Sequence, residues 1–275
     1  MEEFWARFIE PSGQTGQNYW EYFAERLAQL AIIPKDAMIL DLGTYDGNVL
    51  FKAMKKMKAQ AYGVGADIYY GGFRDGVPEI MQRGWEEKVS FVQMDANTLG
   101  FLPETFHNVL ANFVGWDDCF DFERMKFISP DKMMSEIMRV MRPGGQVGIG
   151  SWVEQSDIDW LVDRFKKYLP EYVDRTETRM LSYGIENPQG YEIILQNSGF
   201  DNIQVHVERT TFVSPDEATW WRQMKKAASD YFEKIPDSVE IQPIKEQIFA
   251  DLQQFQSPRG IRFDKTVSYA YGNKR

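Results

Sequence analysis

Three short apolar runs of the sequence each carry an aspartate at or near their carboxyl end. Asp41 lies in MILDLGTYDGN (residues 38–48), Asp67 ends YGVGAD, and Asp95 follows VSFVQM. A carboxylate accepts hydrogen bonds from two donors at once, which suits the hydroxyls of a ribose or the exocyclic amine of an adenine. If the three runs are parallel strands, their carboxyl ends meet at one edge of a sheet. The spacing therefore predicts a site for a nucleotide-type cofactor.

The first run breaks into a turn that contains glycine. Gly43 permits a conformation that a side chain would forbid, and Gly47 lets the following helix pack close to the first strand. The turn matches neither GxxxxGK[ST] nor GxGxxG, and Asp41 and Asp46 would repel a pyrophosphate but tolerate a cation. We therefore favour a sulfonium or amine ligand, and an NAD-linked oxidoreductase is the weaker alternative.

The elements that must position these residues alternate between strand and helix. The apolar pattern predicts helices over 19–30, 47–58, 77–83, 130–141 and 191–197, and strands over 38–42, 61–66, 89–94, 108–114, 146–152, 203–208 and 266–271. This alternation indicates an α/β fold with a doubly wound, mostly parallel, seven-stranded sheet. We expect the last strand to be an antiparallel edge strand.

The chain is expected to form one domain over residues 1–275. Residues 1–37 are predicted to form an N-terminal helical lid. Residues 155–188 and 213–262 are helical and polar with aromatics at intervals, and are predicted to be cap insertions. For the second insertion, residues 213–262, an interpretation as a segment that only covers a sheet edge is nearly as good.

Four stretches together resemble the class I S-adenosylmethionine (SAM)-dependent methyltransferases, in the small-molecule branch called type 11 or ubiquinone/menaquinone methyltransferase-like. These stretches are ILDLGTYDGN (39–48), GVGADI (63–68), QMDA (93–96) and RVMRPGGQVGIGSW (139–152). The resemblance covers about residues 36–153 and the order of elements beyond. It implies the Rossmann-like methyltransferase fold, SAM as cofactor and S-adenosylhomocysteine (SAH) as product.

The resemblance also implies roles for single residues. Asp41 and Gly43 would hold the methionine end of the cofactor. Asp67 would bind the ribose hydroxyls, and Asp95 with the Ala96 amide would bind the adenine. The remaining predicted cofactor contacts are Tyr19, Thr44, Tyr45, Gly47, Asn48, Ile68 and Phe113.

The turn departs from the family pattern at Tyr45, where D-x-G-x-G-x-G has its middle glycine. That glycine normally lets the backbone approach the cofactor closely. Tyr45 therefore supports a second interpretation, a non-catalytic SAM-fold binding or regulatory protein. The other motif residues are all present, which favours an active enzyme.

Methyl transfer from a sulfonium is an in-line displacement that depends mainly on positioning, and a base is needed only for a hydroxyl or an acidic carbon. The two histidines, His107 and His206, fall at the start and in the middle of predicted strands, so we expect neither to be catalytic. Asp117 and Asp118 follow the fourth strand, where an acceptor should bind, and are the catalytic candidates. Capping of the next turn is an equally good interpretation of both.

Aromatic side chains are the candidates for the acceptor pocket. We predict Trp20, Trp116 and Trp152 as substrate-binding residues. Trp160, Trp220 and Trp221 are weaker candidates, because aromatics at helical spacing are more often core. The expected acceptor is small and apolar or aromatic, methylated at oxygen, carbon or nitrogen. The stretch ANFVG (111–115) lacks the [DN]PP[FYW] motif of nucleic-acid amino-methyltransferases.

Composition narrows the choice of partners. The chain has 31 basic and 41 acidic residues and a formal net charge of −10, which disfavours nucleic acid. The single cysteine, Cys119, excludes an internal disulfide and a thiolate metal cage, and we predict no metal site. The sequence shows no apolar stretch of membrane-spanning length and no signal peptide pattern. We expect a cytoplasmic protein with a small-molecule partner, and a homodimer is compatible with the sequence.

Overall fold

The strands and helices follow the alternation that the sequence predicts. The computed structural model describes residues 7–9, 15–57, 61–114, 120–121, 126–127, 131–173 and 188–275. The strands are β1 (Arg7–Ile9), β2 (Thr15–Asn18), β3 (Met38–Leu42), β4 (Tyr62–Asp67), β5 (Val89–Gln93), β6 (Phe106–Asn112), β7 (Phe120–Asp121), β8 (Lys126–Phe127), β9 (Met141–Gln155), β10 (Phe200–Ser214), β11 (Gln256–Ser257) and β12 (Gly260–Lys274). The α-helices are α1 (Tyr19–Leu30), α2 (Asn48–Met54), α3 (Phe73–Gln82), α4 (Asp131–Val140), α5 (Ser156–Tyr168), α6 (Pro188–Asn197), α7 (Glu217–Ala227), α8 (Ser229–Glu233) and α9 (Ile241–Leu252).

The main sheet has the strand order β2-β1-β10-β12-β9-β6-β3-β4-β5, and β11 pairs with β12. Neighbouring strands from β9 to β5 are parallel. Strands β3, β4 and β5 follow one another in the same direction across the sheet, and the chain then crosses back so that β6 lies on the other side of β3. Open α/β sheets bind ligands at such a reversal, beyond the carboxyl ends of the strands. In this fold a ligand site is therefore expected at the carboxyl end of β3.

The predicted fold class is confirmed, since all seven predicted strands are present in a mixed sheet with a parallel centre. The prediction of an edge position for the last strand is wrong, because β12 lies between β10 and β9. Its residues Val267 to Tyr271 are at most 2% exposed, so both faces of the strand are covered. Covered faces and paired edges are what an internal strand requires. The short strands β1, β2 and β11 were not predicted.

The chain divides into two compact units. The larger unit comprises Trp20–Trp152, Gly184–Val207 and Val267–Arg275, and the smaller comprises Met1–Tyr19, Val153–Tyr183 and Glu208–Thr266. The two predicted cap insertions fall mostly within the smaller unit.

The core of the larger unit covers one face of the parallel strands. Leu40 of β3 and Val109 of β6 are fully buried there, together with Ile137 of α4 and Leu195 of α6. On α1, the Leu27 carbonyl accepts a hydrogen bond of 2.8 Å from the hydroxyl of Tyr271 in β12. Packing of this kind fixes the strands and thereby the positions of their carboxyl ends.

The smaller unit has an aromatic core. Trp220 and Trp221 of α7 are nearly fully buried with Phe165 of α5 and Ile248 of α9. Trp160 packs edge-on against Trp220, with ring centroids 5.7 Å apart. Trp220 and Trp221 are therefore core residues, which is the usual role of aromatics at helical spacing.

Candidate functional site

The turn between β3 and α2 is held by the protein's own hydrogen bonds. Gly43 and Thr44 both donate their backbone N–H to the Ala66 carbonyl near the end of β4, at 2.8 and 3.2 Å. Gly43 has a φ of +65°, and a Cβ at this position would lie 2.3 Å from Val114 Cγ2. Both the conformation and the lack of space therefore require glycine here.

Asp41 anchors the same turn from inside. Its Oδ2 accepts hydrogen bonds from the Thr44 hydroxyl at 2.7 Å and from the Leu50 backbone N–H at 3.2 Å. The residue is 1% exposed, and within the described part of the chain no group bonds to its Oδ1. Burial raises the pKa of Asp41 from 3.8 to about 7, although the Thr44 hydrogen bond acts in the opposite direction.

The amino terminus of α2 is occupied by acceptors from the chain itself. The Leu50 N–H donates to Asp41, and the Asn48 N–H donates to Asp46 Oδ1 at 3.2 Å. A helix amino terminus attracts anions, and here two carboxylates already fill that place. A bound phosphate would find these donors taken, and it would be repelled by Asp46 and by Asp41 to the extent that Asp41 is ionised near its pKa of about 7. The turn therefore suits a cationic ligand rather than a pyrophosphate.

Two backbone N–H groups hold the carboxylate of Asp67. Its Oδ2 accepts from Tyr45 and its Oδ1 from Tyr69, both at 2.8 Å. A carboxylate has about four lone-pair positions, so each oxygen keeps capacity for one further donor. Asp67 is partly exposed. It can therefore accept hydrogen bonds from two vicinal hydroxyl groups of a ligand.

Asp95 follows β5 and is exposed. Its Oδ1 accepts from the backbone N–H and the side-chain amide of Asn97, at 2.8 and 3.1 Å, which leaves Oδ2 with acceptor capacity. Asp67 pairs with Gln93 in the β4–β5 register, so the two acidic residues come from the ends of adjacent strands. The side chain of Ile68, 63% exposed, adds an apolar surface to the loop after β4.

An aromatic cluster lies beyond the carboxyl end of β6. Phe113 stacks on Trp152 of β9 with ring centroids 4.1 Å apart and an interplanar angle of 19°. Trp20 and Phe23 of α1 pack edge-on against both rings. Phe113 has a φ of +52°, in the left-handed region that non-glycine residues adopt uncommonly. The structure thus brings together Trp20, Phe113 and Trp152, and Phe23 joins them although the sequence did not indicate it as a site residue.

Three aspartates near the site share a local motif that sequence reasoning did not use. Asp46, Asp67 and Asp95 each accept the N–H of the residue two positions later. Such Asx turns are typical of aspartate after a strand. The turn geometry is by itself sufficient to favour aspartate at these positions, whether or not the residue binds a ligand. The motif could have identified Tyr69 as a partner of Asp67. Asp67 differs from the other two because a second loop, through Tyr45, also binds it.

Tyr19, a predicted cofactor contact, belongs to the smaller unit. It is 4% exposed and packs edge-on against Phe212, with centroids 5.7 Å apart. The Nζ of Lys265 lies 5.0 Å from the centre of its ring. The described contacts of Tyr19 are therefore those of a core residue, and its cofactor contact stays a prediction.

Three further predicted residues, Trp116, Asp117 and Asp118, lie outside the described residues. His107 Nδ1 accepts from the Met38 N–H at 2.9 Å, at the amino ends of β6 and β3 and so at the end opposite the site. Among the described residues there is no His, Cys, Asp and Glu cluster that could hold a metal ion. Within the same ranges, no helix is both long enough and apolar enough to cross a membrane.

No family model matches the chain. Methyltransferase GfsG of Streptomyces halstedii is 23% identical over 198 residues, which cover 72% of this chain and 63% of that protein. The ubiquinone/menaquinone biosynthesis C-methyltransferase UbiE of Methylococcus capsulatus is 30% identical over 122 residues, 43% of this chain and 44% of that protein. The chain therefore spans less than two thirds of the length of these curated relatives.

Among solved structures, a candidate methyltransferase from Bacillus halodurans superimposes with a TM-score of 0.56 and 20% identity, covering 91% of this chain and 98% of that one. The parallel strands, their order and the glycine turn define the Rossmann-like fold of the class I SAM-dependent methyltransferases. The chain has this fold and is distantly related to methyltransferases of the class. The resemblance that the sequence motifs predict is confirmed.

Proposed function

We propose that the protein is a SAM-dependent methyltransferase that acts on a small apolar or aromatic acceptor at oxygen, carbon or nitrogen. The observation that carries the proposal is the Asp67 carboxylate, held at the end of β4 with both oxygens still able to accept. When bound, SAM supplies a methyl group on a sulfonium, which is open to in-line displacement.

The donors and acceptors of the turn fit this cofactor. Asp67 would accept from the ribose hydroxyls, and Asp95 with the Ala96 N–H would bind the adenine beside Ile68. Several N–H groups of the turn are used internally, Asp46 adds negative charge, and Asp41, with a pKa of about 7, is ionised in part near neutral pH. This arrangement supports a positively charged methionine end and disfavours a dinucleotide.

The residues of the turn divide into those that shape it and those that a ligand can reach. Asp41, Thr44 and Gly47 are buried, so in this scheme they act by holding the turn rather than by touching the cofactor. Gly43 is exposed and Asn48 partly exposed, and these remain assigned to cofactor contact. Direct contact of Asp41 with the methionine end would require the turn to open.

The aromatic cluster is assigned to the acceptor side. Trp20, Phe113 and Trp152 would form an apolar wall that excludes water and matches a small apolar or aromatic molecule. Asp117 and Asp118 remain the candidates for a general base, which the reaction needs only if the acceptor is a hydroxyl or an acidic carbon.

Titration calorimetry with SAM and SAH tests the proposal. Asp67→Ala should weaken the binding of both by roughly tenfold or more, because hydrogen bonds to a charged group contribute about 1.5–3 kcal/mol. Asp36→Ala removes an exposed carboxylate in the turn before β3, at the end of the strand opposite the site, and is the matched control, with an affinity expected within about twofold of the wild type. Failure of the wild-type protein to bind either ligand at millimolar concentration would overturn the proposal.

Tyr45 in the glycine position favours a second candidate, a non-catalytic SAM-fold binding or regulatory protein. Release of SAH in the presence of a panel of phenols, quinone precursors and amines distinguishes the two candidates. Turnover with any acceptor supports the methyltransferase. Tight SAM binding without turnover, together with a stable protein partner, supports the second candidate.

A further inference from the structure

Tyr45 replaces a family glycine and yet adopts a glycine-like backbone conformation. Its φ is +48°, in the left-handed region that disfavours side chains. The turn therefore keeps the shape that a glycine would give it. A tyrosine in a strained position calls for an interaction that glycine could not make.

The rings of Tyr45 and Tyr69 rest against a pair of glycines after β4. A Cβ on Gly72 would lie 2.6 Å from the backbone carbonyl carbon and oxygen of Tyr45 and 2.8 Å from its ring atom Cδ2, and a Cβ on Gly71 would lie 2.2 Å from Cζ of Tyr69. The two rings stack on each other with centroids 6.4 Å apart and an interplanar angle of 14°. This geometry is within the range of favourable aromatic pairs. Gly71 thus leaves space for the Tyr69 ring, and Gly72 leaves space for both the backbone and the ring of Tyr45.

The same two tyrosines hold Asp67 through their backbones. Tyr45 lies in the loop after β3 and Tyr69 in the loop after β4, and their N–H groups bind opposite oxygens of the carboxylate. The stacked rings therefore join the two loops that hold Asp67. Neither ring fills the core, since Tyr45 is 49% and Tyr69 59% exposed.

We propose that Tyr45 and Tyr69 form a stacked pair that positions Asp67 for the ribose of the cofactor. The pair compensates for the missing glycine of the turn. This inference rests on the proposed function, in which Asp67 binds the ribose. In this proposal Tyr45, which the resemblance also implies as a cofactor contact, is a positioning residue that acts on the ligand through Asp67.

Tyr45→Gly separates positioning from stability. Glycine relieves the positive φ but removes the stack, so SAH affinity should fall by roughly three- to tenfold, the range of an aromatic pair, while the unfolding midpoint stays close to that of the wild type. Tyr45→Phe keeps the ring and should restore wild-type affinity. Tyr69→Ala should reproduce the loss. Tyr62→Ala, which removes a ring that is 50% exposed at the start of β4 and so at the opposite end of the strand, should stay within about twofold.

Amide hydrogen exchange in the cofactor-free protein gives a readout that needs no ligand. The Tyr69 N–H should exchange roughly threefold faster or more in Tyr45→Gly than in the wild type or in Tyr45→Phe. Unchanged exchange at Tyr69 and unchanged SAH affinity in Tyr45→Gly would overturn the tyrosine pair and leave the proposed function standing. A wild-type protein that binds neither SAM nor SAH would overturn the proposed function, and the exchange rates would then still test whether the pair holds Asp67.

Discussion

The carboxyl group of Asp41 lies where the protein disfavours its charge. Burial raises its pKa to about 7, against 3.8 for the ordinary side chain, although Thr44 and Leu50 donate hydrogen bonds that stabilise the charged form. Between about pH 4 and pH 7 the folded protein therefore keeps a proton that the unfolded chain releases. By linkage, the contribution of Asp41 to stability falls as the pH rises through this window.

We predict that Asp41→Asn removes this pH dependence. Below about pH 4 the wild-type side chain is neutral in both the folded and the unfolded protein, so the free energies of unfolding of the two proteins should be close there. From about pH 4 to pH 7 the wild type should lose up to about 1.4 kcal/mol per pH unit relative to the variant, and the difference should then level off. Urea unfolding at pH 4, 5, 6, 7 and 8 measures the difference.

Thr44→Val is a second variant, which should shift the pH range over which Asp41 affects the stability. Loss of the hydroxyl removes a hydrogen bond that lowers the pKa of Asp41, so the pH-dependent loss of stability should extend to higher pH. A difference between wild type and Asp41→Asn that stays constant from pH 5 to pH 8 would contradict the assignment of this pKa.

At the scale of elements, two glycines of β4 let its neighbours approach the strand. A Cβ on Gly63 would lie 2.6 Å from Leu50 Cδ1 of α2. A Cβ on Gly65 would lie 2.6 Å from both Phe91 of β5 and the Thr44 hydroxyl oxygen. Gly65 thus provides the space in which the turn after β3 packs against the sheet.

Gly65→Ala should destabilise the protein by about 1–3 kcal/mol, because the added methyl group overpacks the contact between β4, Phe91 and Thr44. Gly100→Ala is the matched control. The nearest atom to its Cβ would be Met94 Cε at 3.3 Å, and we expect a change within about 0.5 kcal/mol. Chemical denaturation gives both values, and equal stabilities of the two variants would show that β4 tolerates the methyl group.

A helix or strand is predicted well from the sequence when its residues are determined by local contacts. It is predicted poorly when contacts with residues far away in the chain determine them. Helix α1 begins and ends at the predicted residues, because its apolar positions repeat along one face. Helix α3 begins at Phe73, four residues before the predicted start. Gly76 suggests a break, but a Cβ there would lie 2.5 Å from the Asp46 carbonyl oxygen, so close packing against the turn selects the glycine. That contact cannot be predicted from local sequence.

The site shows the same division. Gly43, Asp67 and Asp95 lie at or just after the ends of strands, and the apolar pattern of the sequence predicts where those strands end. The donors to Asp67 do not follow from it, because Tyr45 belongs to a different loop, and the pairing of loops depends on the register of β3 and β4. The cluster of Trp20, Phe113 and Trp152 joins three elements far apart in the chain, which likewise only the fold reveals.

At the scale of the whole molecule, the smaller unit contains a buried ion pair in addition to its aromatic core. Lys265 Nζ lies 2.8 and 2.7 Å from the two carboxylate oxygens of Asp157, and the side chains are only 2% and 5% exposed. The pair joins β12 to the start of α5, residues 108 positions apart in the chain. Removing both charges from water is costly, so each partner depends on the other.

Lys265→Met should therefore destabilise the protein by about 3–5 kcal/mol, because it leaves the Asp157 carboxylate buried without its cation. The double variant Asp157→Leu, Lys265→Met should recover most of the loss, since no uncompensated charge remains. Arg209→Met, which removes a 64% exposed partner of Asp264, is the control and should leave the unfolding midpoint almost unchanged.

Hydrogen exchange followed by mass spectrometry shows which part of the chain responds. Because each unit has its own core, Lys265→Met should lower the protection of α5, α7 and α9 while β3, β4 and β5 stay protected. An equal loss of protection in both sets of elements would mean that the chain unfolds as one cooperative body. In that case the two compact units would not unfold separately. The single domain expected from the sequence would then describe the unfolding of the protein better than the two units do.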